Sequence, residues 1–549
     1  MVKHESKLYL KPSDLGIFEN VPEIIEYVAK EFSDRIAVST YDANAKTIDK
    51  TYADLRADVS KFAGHLSTYN VNLFPICLMG DTSYEWMVAF YGIMWSGAVP
   101  VLVENDMSAL EAYDLISETG AKLAIFDNGK KKADLMEVLS SNEIGFIGLK
   151  DDLRKLLSTQ EIAPIPCVKR PPDDTALIVF TSGTTGKNKG VMLSHKNVCS
   201  NLFYSMISSG NRTHHSNVTV LPPHHMYQII LGILSPIYLG TTTCIGRGRK
   251  YLSQDIEFFK PSTLILVPAA IEMMRKTIWA NARLQNSDVK LRKAMKVTNF
   301  LLKLGIDVRR KLFAKIHNGL GGELHTIISG GAPIDPETIL EFKAWDITII
   351  NGYGVTECSP VISSNTFDHE RLGSVGKADF PPYSTVRIID GEICVKGDNV
   401  MKGYLGDEKA TAEAIKDGWY ATGDLGYIDK DGYLFITGRK KNLIILSNGE
   451  NVSPEELEFF YDKIDGVKDV LVFEKKVGRE SILSAMVVPT DELIAKKIDM
   501  QKYFNQEFDK LNPSLPQYKQ VHEVRVRETE FIKSSNLKIK RIEENYIVC

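Results

Sequence analysis

The sequence lacks three features that would assign its class at once: paired cysteines, an excess of charge, and an apolar run that stays unbroken over the width of a membrane. Its cysteines (Cys77, Cys167, Cys199, Cys244, Cys358, Cys394 and Cys549) are widely scattered and form no C-x-x-C pair. That argues against a disulfide framework or a cysteine zinc site. It suits a reducing compartment, so a cytoplasmic location is expected. Lys+Arg 66 against Asp+Glu 70 leaves a net charge of −4. So even a balance gives no global attraction to nucleic acid or to an anionic membrane, and no nucleic-acid partner is expected. The opening MVKHESKLYLKPSD has no apolar signal-peptide core, and the closing YIVC places its cysteine last rather than fourth from the end. Neither a secretion leader nor a prenyl anchor is expected.

Two uncharged stretches, 86–103 and 226–246, come nearest to a membrane span. Gly97 and Pro100 split the first into a helix over about 84–95 and a short strand, VPVLV. The second reads as an apolar helix ending near Leu239-Gly240, then the β-favouring TTTCI. Both are expected to be buried helix-plus-strand units, with no transmembrane segment. Peripheral membrane contact stays open.

What is present is an ordinary globular composition, 44% hydrophobic and 25% charged. At ~150 residues per domain, the 549 residues suggest three to four domains or subdomains. Short apolar strands such as TALIVF (175–180), VTVL, LILV, TIIS and ITII alternate with helical patterns, which predicts an α/β fold with largely parallel sheets. Ser194 is placed to cap a helix over 194–207. After about residue 370 the texture turns to Gly, Asp and short β runs, and Asp431-Gly432 marks a hairpin, so a small β-sheet or barrel is expected there. From about 439 the order strand, helix, strand, strand, helix predicts a smaller α+β unit, with Pro454 at the first turn of its helix.

The segment TSGTTGKNKG (181–190) follows the strand TALIVF. Thr181, Ser182, Gly183, Thr184, Thr185 and Gly186 offer hydroxyls and close backbone N–H groups, and Lys187 and Lys189 add positive charge. That chemistry suits phosphate oxygens. The spacing is not the G-x-x-x-x-G-K-S/T of a P-loop, and a plain Ser/Thr/Gly surface loop is the alternative. The ten residues closely resemble the phosphate-binding signature of the adenylate-forming superfamily: acyl-CoA synthetases, luciferase-type enzymes and peptide synthetase adenylation domains. Asn188 stands where that family usually has proline, which mainly stiffens the loop.

The resemblance continues in order along the chain. HTIISGGAPIDPE (325–337) looks like the turn that lies against adenine, implicating Gly330, Gly331 and Ala332. NGYGVTE (351–357), expected just after the strand ITII, is similar to the adenine and metal segment. It implies Asn351, Gly352 and a flat Tyr353 for the purine, Thr356 for the α-phosphate, and Glu357 for Mg²⁺, a hard cation that suits a carboxylate plus phosphate oxygens. The segment 417–454 matches the family pattern throughout, implying Asp424 as acceptor from the ribose hydroxyls, Arg439 at the ribose or phosphate, a hinge at Lys441, and Gly449 in the loop LSNGENVSP. That loop resembles the long-chain fatty acyl-CoA ligase version in length and wording, as does the lead-in 303–333. FIKSSNLKIKR (531–541) aligns Lys538 with the family's catalytic lysine, although Ile532, Ser534 and Leu537 replace its proline, threonine and glycine. In LPPHHMYQ the acyl-pocket position maps onto His225. The pairs His214-His215 and His224-His225 are read as neighbours that point apart on strands with no third ligand, so zinc is not expected.

The resemblance implies a large N-terminal domain, 1–438, of two packed α/β sheet subdomains and a small β-barrel over about 370–438. A small mobile α+β cap, 439–549, follows. It further implies ATP, Mg²⁺ and coenzyme A, with a fatty or other small carboxylic acid as substrate, medium or long chain favoured. The thiol acceptor is CoA or an acyl carrier protein. Aryl- or amino-acid activation and a non-catalytic nucleotide sensor are the competing readings.

Overall fold

The computed structural model describes residues 16, 18–41, 46–69, 71, 74–127, 132–182, 188–209, 216–381, 383–447, 449–477, 480–533 and 539–546. The chain divides into two compact units, 1–386 with 395–420 and 387–394 with 421–549.

The first unit is built on two large sheets, and the fold is α/β as the alternation of strands and helices predicts. From edge to edge, the seven-stranded sheet runs Gly403–Tyr404, Asn188–Ser194, Thr175–Ser182, Val99–Val103, Pro75–Met79, Leu123–Phe126, Gly145–Gly148. Its middle strands pair in parallel, and Thr175–Ser182 with Asn188–Ser194 is an antiparallel hairpin. Val99–Val103 is buried at every position, as a parallel strand covered on both faces must be. The adjoining helix Tyr84–Trp95 is also buried throughout, and Ser83 accepts from Trp86 N at its start. Full burial accounts for the first uncharged stretch; Trp86, Phe90 and Trp95 each contribute roughly 1.5–3 kcal/mol.

The eight-stranded sheet runs Val361–Ser364, Thr348–Gly354, Thr326–Ser329, Thr263–Leu266, Ser216–Thr219, Thr242–Ile245, Ile36–Tyr41, Thr47–Thr51. Its interior pairs are parallel and its two edge pairs antiparallel. The second uncharged stretch begins with a π-helical segment, Gln228–Leu234, and continues as the helix Ser235–Tyr238, every residue buried. A side chain at Gly232 would come within 2.5 Å of the Gln228 amide, so glycine leaves room for it. Among the described residues no helix is long and apolar enough to cross a membrane.

Two local expectations are corrected. NGYG does not follow the strand; the strand itself runs on to Gly354, because Gly352, Tyr353 and Gly354 pair with Ser364, Ser363 and Val361. His224 and His225 do not point apart on a strand. They lie at a turn before a helix, with ring centroids 4.2 Å apart.

Residues 385–439 are rich in short strands, as expected from their texture. In the second unit, residues 424–428 pair antiparallel with Leu434–Arg439. Further on, Val467–Val477 and Glu480–Pro489 are antiparallel, and Glu523–Val526 joins in parallel. The helices Pro454–Tyr461 and Met500–Leu511 close over this sheet around Leu457, Val472 and Phe504, with Tyr461 and Phe508 stacked at 4.2 Å.

Candidate active site

The strands on either side of the glycine-rich segment, Thr175–Ser182 and Asn188–Ser194, pair antiparallel, with Thr181 opposite Lys189 and Ser182 opposite Asn188. Gly183, Thr184, Thr185, Gly186 and Lys187 lie outside the described residues. The hairpin then feeds the helix His195–Ser209. Ser194 caps it as expected: its Oγ accepts from Asn197 N at 3.0 Å, and the Asn197 side chain accepts from Ser194 N at 2.8 Å. One turn on, the buried Asn201 amide donates to Cys358 O and Val361 O and accepts from Val361 N. That triple bond set fixes the turn bearing Thr356 and Glu357.

Lys189 and Glu357 meet at Tyr404. The Lys189 ammonium sits 4.6 Å from the centre of the Tyr404 ring, and the Tyr404 hydroxyl donates to Glu357 Oε1 at 3.1 Å. Met401 N donates to Glu357 O at 2.8 Å, so backbone and side chain of Glu357 are both held. Tyr404 is hydrogen-bonded to Tyr420, and burial followed by the Glu357 charge pushes the Tyr404 hydroxyl far above its ordinary pKa. Tyr404 therefore stays a neutral donor and fixes the carboxylate between a cation and a buried phenol. Among the described residues no cluster of three or more His, Cys, Asp or Glu could hold a metal. A single oriented carboxylate fits Mg²⁺, which takes its remaining oxygens from phosphate and water.

Gly330, Gly331, Gly352, Tyr353 and Gly354 converge at the carboxyl ends of adjacent parallel strands, where α/β sheets bind ligands. They frame a cavity of about 80 Å³ together with Tyr227, Ser205 and Ser329. The glycines are required by close approach: a Cβ on Gly330 would press on the Tyr227 ring at 3.2 Å, and one on Gly354 would lie 1.9 Å from Pro360 O. Tyr227 is pinned across the strand ends, its hydroxyl donating to Ile328 O at 3.0 Å and lying 3.3 Å from Leu266 O. The Ser205 and Ser329 hydroxyls are buried without a protein partner among the described residues. Asn351 is buried and donates to Ser374 O, while Ala332 is exposed on the turn. His225 sits at the helix start, where its N–H donates to Pro222 O and its carbonyl accepts from Ile229 N. From its segment, Tyr227 and Leu231 line the cavity.

In the second unit Asp424 and Arg439 are direct partners, Arg439 Nε donating to Asp424 Oδ1 at 2.7 Å. Glu392 supports them: one oxygen accepts from Gly423 N at 2.9 Å and the other from Lys440 Nζ at 2.7 Å. Gly449 adopts φ +86 in an open turn closed by its N–H to Leu446 O. Burial holds the Lys441 ammonium below its ordinary pKa. Lys538 lies outside the described residues. Flanking it, Lys533 pairs with Asp469 at 2.7 Å, and Arg541 makes a two-oxygen bond to Glu458.

Tyr404, Tyr420, Asn201 and Tyr227 escape a sequence reading. Tyr404 lies 47 residues from Glu357, and Asn201 lies 157 from Cys358. No local spacing links such pairs. Tyr227 and Tyr420 fall within recognised motifs, LPPHHMYQ and 417–454, but nothing in those motifs assigns them these contacts.

The AMP-binding enzyme family profile matches residues 25–405, more than half of the chain. Long-chain-fatty-acid–CoA ligase 1 of Cavia porcellus is 32% identical over 354 residues, 59% of this chain and 49% of that protein. The chain thus spans about half the length of that relative. A long-chain-fatty-acid–CoA ligase of Mycobacterium bovis is 29% identical over 420 residues, 70% of this chain and 68% of that protein. Among solved structures, an anthranilate CoA ligase in complex with anthranoyl-AMP superposes with a TM-score of 0.77 at 19% identity, covering 96% of this chain and 97% of that one. An o-succinylbenzoate CoA synthetase from Bacillus subtilis, in complex with ATP and magnesium ion, gives 0.72 at 22% identity, covering 94% and 98%. These two share the fold.

Proposed function

The chain belongs to the AMP-binding enzyme family, and from that membership we propose that it is an AMP-forming acid–thiol ligase. In this reading it activates a medium- or long-chain fatty acid to acyl-AMP, releases pyrophosphate, and passes the acyl group to the CoA thiol, in the cytoplasm. The observation that carries the proposal is the meeting of Lys189 and Glu357 on Tyr404, at the base of the glycine-rich hairpin. The names of the ligases it resembles support the fatty acid.

The first step joins two anions, the substrate carboxylate and the ATP α-phosphate, so positive charge and fixed donors decide its rate. Lys189, held over Tyr404, and the backbone N–H groups of 183–186 meet phosphate oxygens. The Thr356 hydroxyl donates to the α-phosphate. Gly330 to Ala332 and Asn351 to Tyr353 flank the adenine, and Asp424 accepts from the ribose hydroxyls beside Arg439. Lys538 pairs with the charge that grows in the transition state. Glu357 would hold Mg²⁺, which would supply charge neutralisation for the joining of the two anions. In this reading the functional domains are 1–438 and 439–549, with a hinge at Lys441.

A second reading is an aryl or other compact carboxylic acid, the class of acid named for the two solved CoA ligases that share the fold. Pyrophosphate release across fatty acids of increasing length and aromatic acids separates the two, first with CoA and then with acyl carrier protein. Turnover that peaks with aromatic acids and falls with chain length overturns the fatty-acid assignment. Nucleotide binding without pyrophosphate from any acid overturns the enzyme reading in favour of a sensor.

A further inference from the structure

The helix Asp288–Lys303 is amphipathic on the side turned away from its own core. Leu291, Ala294 and Met295 pack inward, and Thr298 is buried. On the opposite face, at steps of three to four residues, Val297, Phe300 and the adjoining Leu304 are 53%, 62% and 61% exposed. Val289, two turns earlier on the same side, is also exposed, with Lys293 and Lys296 between it and Val297, and Leu284, 82% exposed, ends the preceding helix. Single exposed apolar residues are ordinary, but a contiguous stripe on one helix marks an interaction surface.

The stripe is bordered by cations. Lys290, Lys293, Lys296 and Lys303 project around it, with Arg292 held over Trp279 at 4.6 Å. The one acid in the helix is Asp288. Among the described residues none of the four lysines is paired with a carboxylate. The chain as a whole is slightly acidic, so this is a local field.

We propose that this face docks on an anionic phospholipid bilayer, with Phe300, Leu304 and Val297 entering the headgroup boundary and the lysines meeting lipid phosphates. Bulky apolar side chains flanked by basic ones are what a helix lying in the interface needs, and lysine stems reach outward to the headgroups. Charge argues against a second copy as occupant. A two-fold pairing would set this lysine-rich face against itself. The assignment does not rest on the proposed reaction.

The test is co-sedimentation of the full chain with phosphatidylcholine vesicles, with and without phosphatidylglycerol. Binding is expected with the anionic lipid and should weaken as salt rises. Lys293→Glu with Lys296→Glu should lower affinity at least ~tenfold. Phe300→Ser with Leu304→Ser should lower it by a similar ~tenfold. Circular dichroism and elution volume check that both variants fold. If the apolar pair fails that check, the lysine pair and the salt response of the native chain decide. Equal binding to neutral and anionic vesicles, or unchanged binding by folded variants, overturns the proposal. So does a native dimer that these substitutions convert to monomer.

Discussion

Arg439 Nε donates to Asp424 Oδ1 at 2.7 Å, and the two residues stand directly opposite each other in paired antiparallel strands. Asp424 is 5% exposed, while the Arg439 side chain reaches solvent. Register thus converts two positions 15 residues apart into one polar unit with a fixed orientation. Such a unit suits a diol or phosphate better than either side chain alone, because the planar fork and the carboxylate restrain each other.

Asp424→Asn keeps the shape and removes the charge. If the pair meets the ribose, nucleotide affinity should fall about 10–100-fold, the range for hydrogen bonds to a charged group. Isothermal titration with ATP reads this directly. An unchanged dissociation constant, with the fold intact, removes Asp424 from the nucleotide site.

Tyr404 joins two proposed ATP-binding groups through different parts of one side chain. Tyr404→Phe deletes the hydroxyl that fixes Glu357 but keeps the ring under Lys189; Tyr404→Ala deletes both. Losing one neutral–charged hydrogen bond should cost roughly tenfold in adenylation and raise the Mg²⁺ concentration required. The alanine variant should lose more. Pyrophosphate release against Mg²⁺ concentration separates them, and identical Mg²⁺ dependence in native and Tyr404→Phe protein rules out an orienting role.

Much of this was legible because it is local. TALIVF reads as a strand, Ser194 as a cap and Pro454 as a helix start, and each is realised where its few neighbours dictate. NGYG misled for the opposite reason. Glycines announce a turn, yet here Gly352 and Gly354 continue a strand by pairing with Ser364 and Val361, and at Gly354 the backbone at Pro360 comes too close for a side chain. Tyr404 and Asn201 were invisible because their roles exist only once distant segments meet. The motifs locate the chemistry; tertiary contacts decide what holds it still.

His195 gives a pH prediction. It is buried, and its Nδ1 accepts from Val21 N at 3.2 Å, so the fold uses the neutral ring. Burial pushes its pKa down to about 4. Unfolded, histidine titrates near ~6.5. Its contribution is therefore complete above about 6.5 and is lost as pH falls toward 4. Between pH 7 and 5 the loss is about 2 kcal/mol for this residue. His224 and His317, also held near about 4, act in the same direction. Urea unfolding at both pH values should show a smaller drop for His195→Gln, whose amide accepts the same bond without titrating. Equal drops refute the assignment.

Lys538 permits a sharper test because two half-reactions share one protein. In adenylation a carboxylate meets a polyphosphate, and negative charge builds at the α-phosphorus; a fixed ammonium there lowers the barrier. In the second step the thiol sulfur attacks the acyl carbon, the bond from that carbon to the phosphate oxygen breaks, and AMP leaves with the electron pair; an anion departs instead of two anions meeting, so less is asked of the same ammonium. Lys538→Ala should slow adenylation ~10²–10³-fold and thioester formation from supplied acyl-AMP far less. Leu537, where the family has glycine, tests the same site from its neighbour. Leu537→Gly should leave thioester formation unchanged and hold or raise adenylation, since added backbone freedom helps the lysine reach. Measured separately by pyrophosphate release and by consumption of acyl-AMP, equal losses in both half-reactions for Lys538→Ala would move the catalytic cation elsewhere, with Lys533, Lys540 and Arg541 as the nearest candidates in the chain.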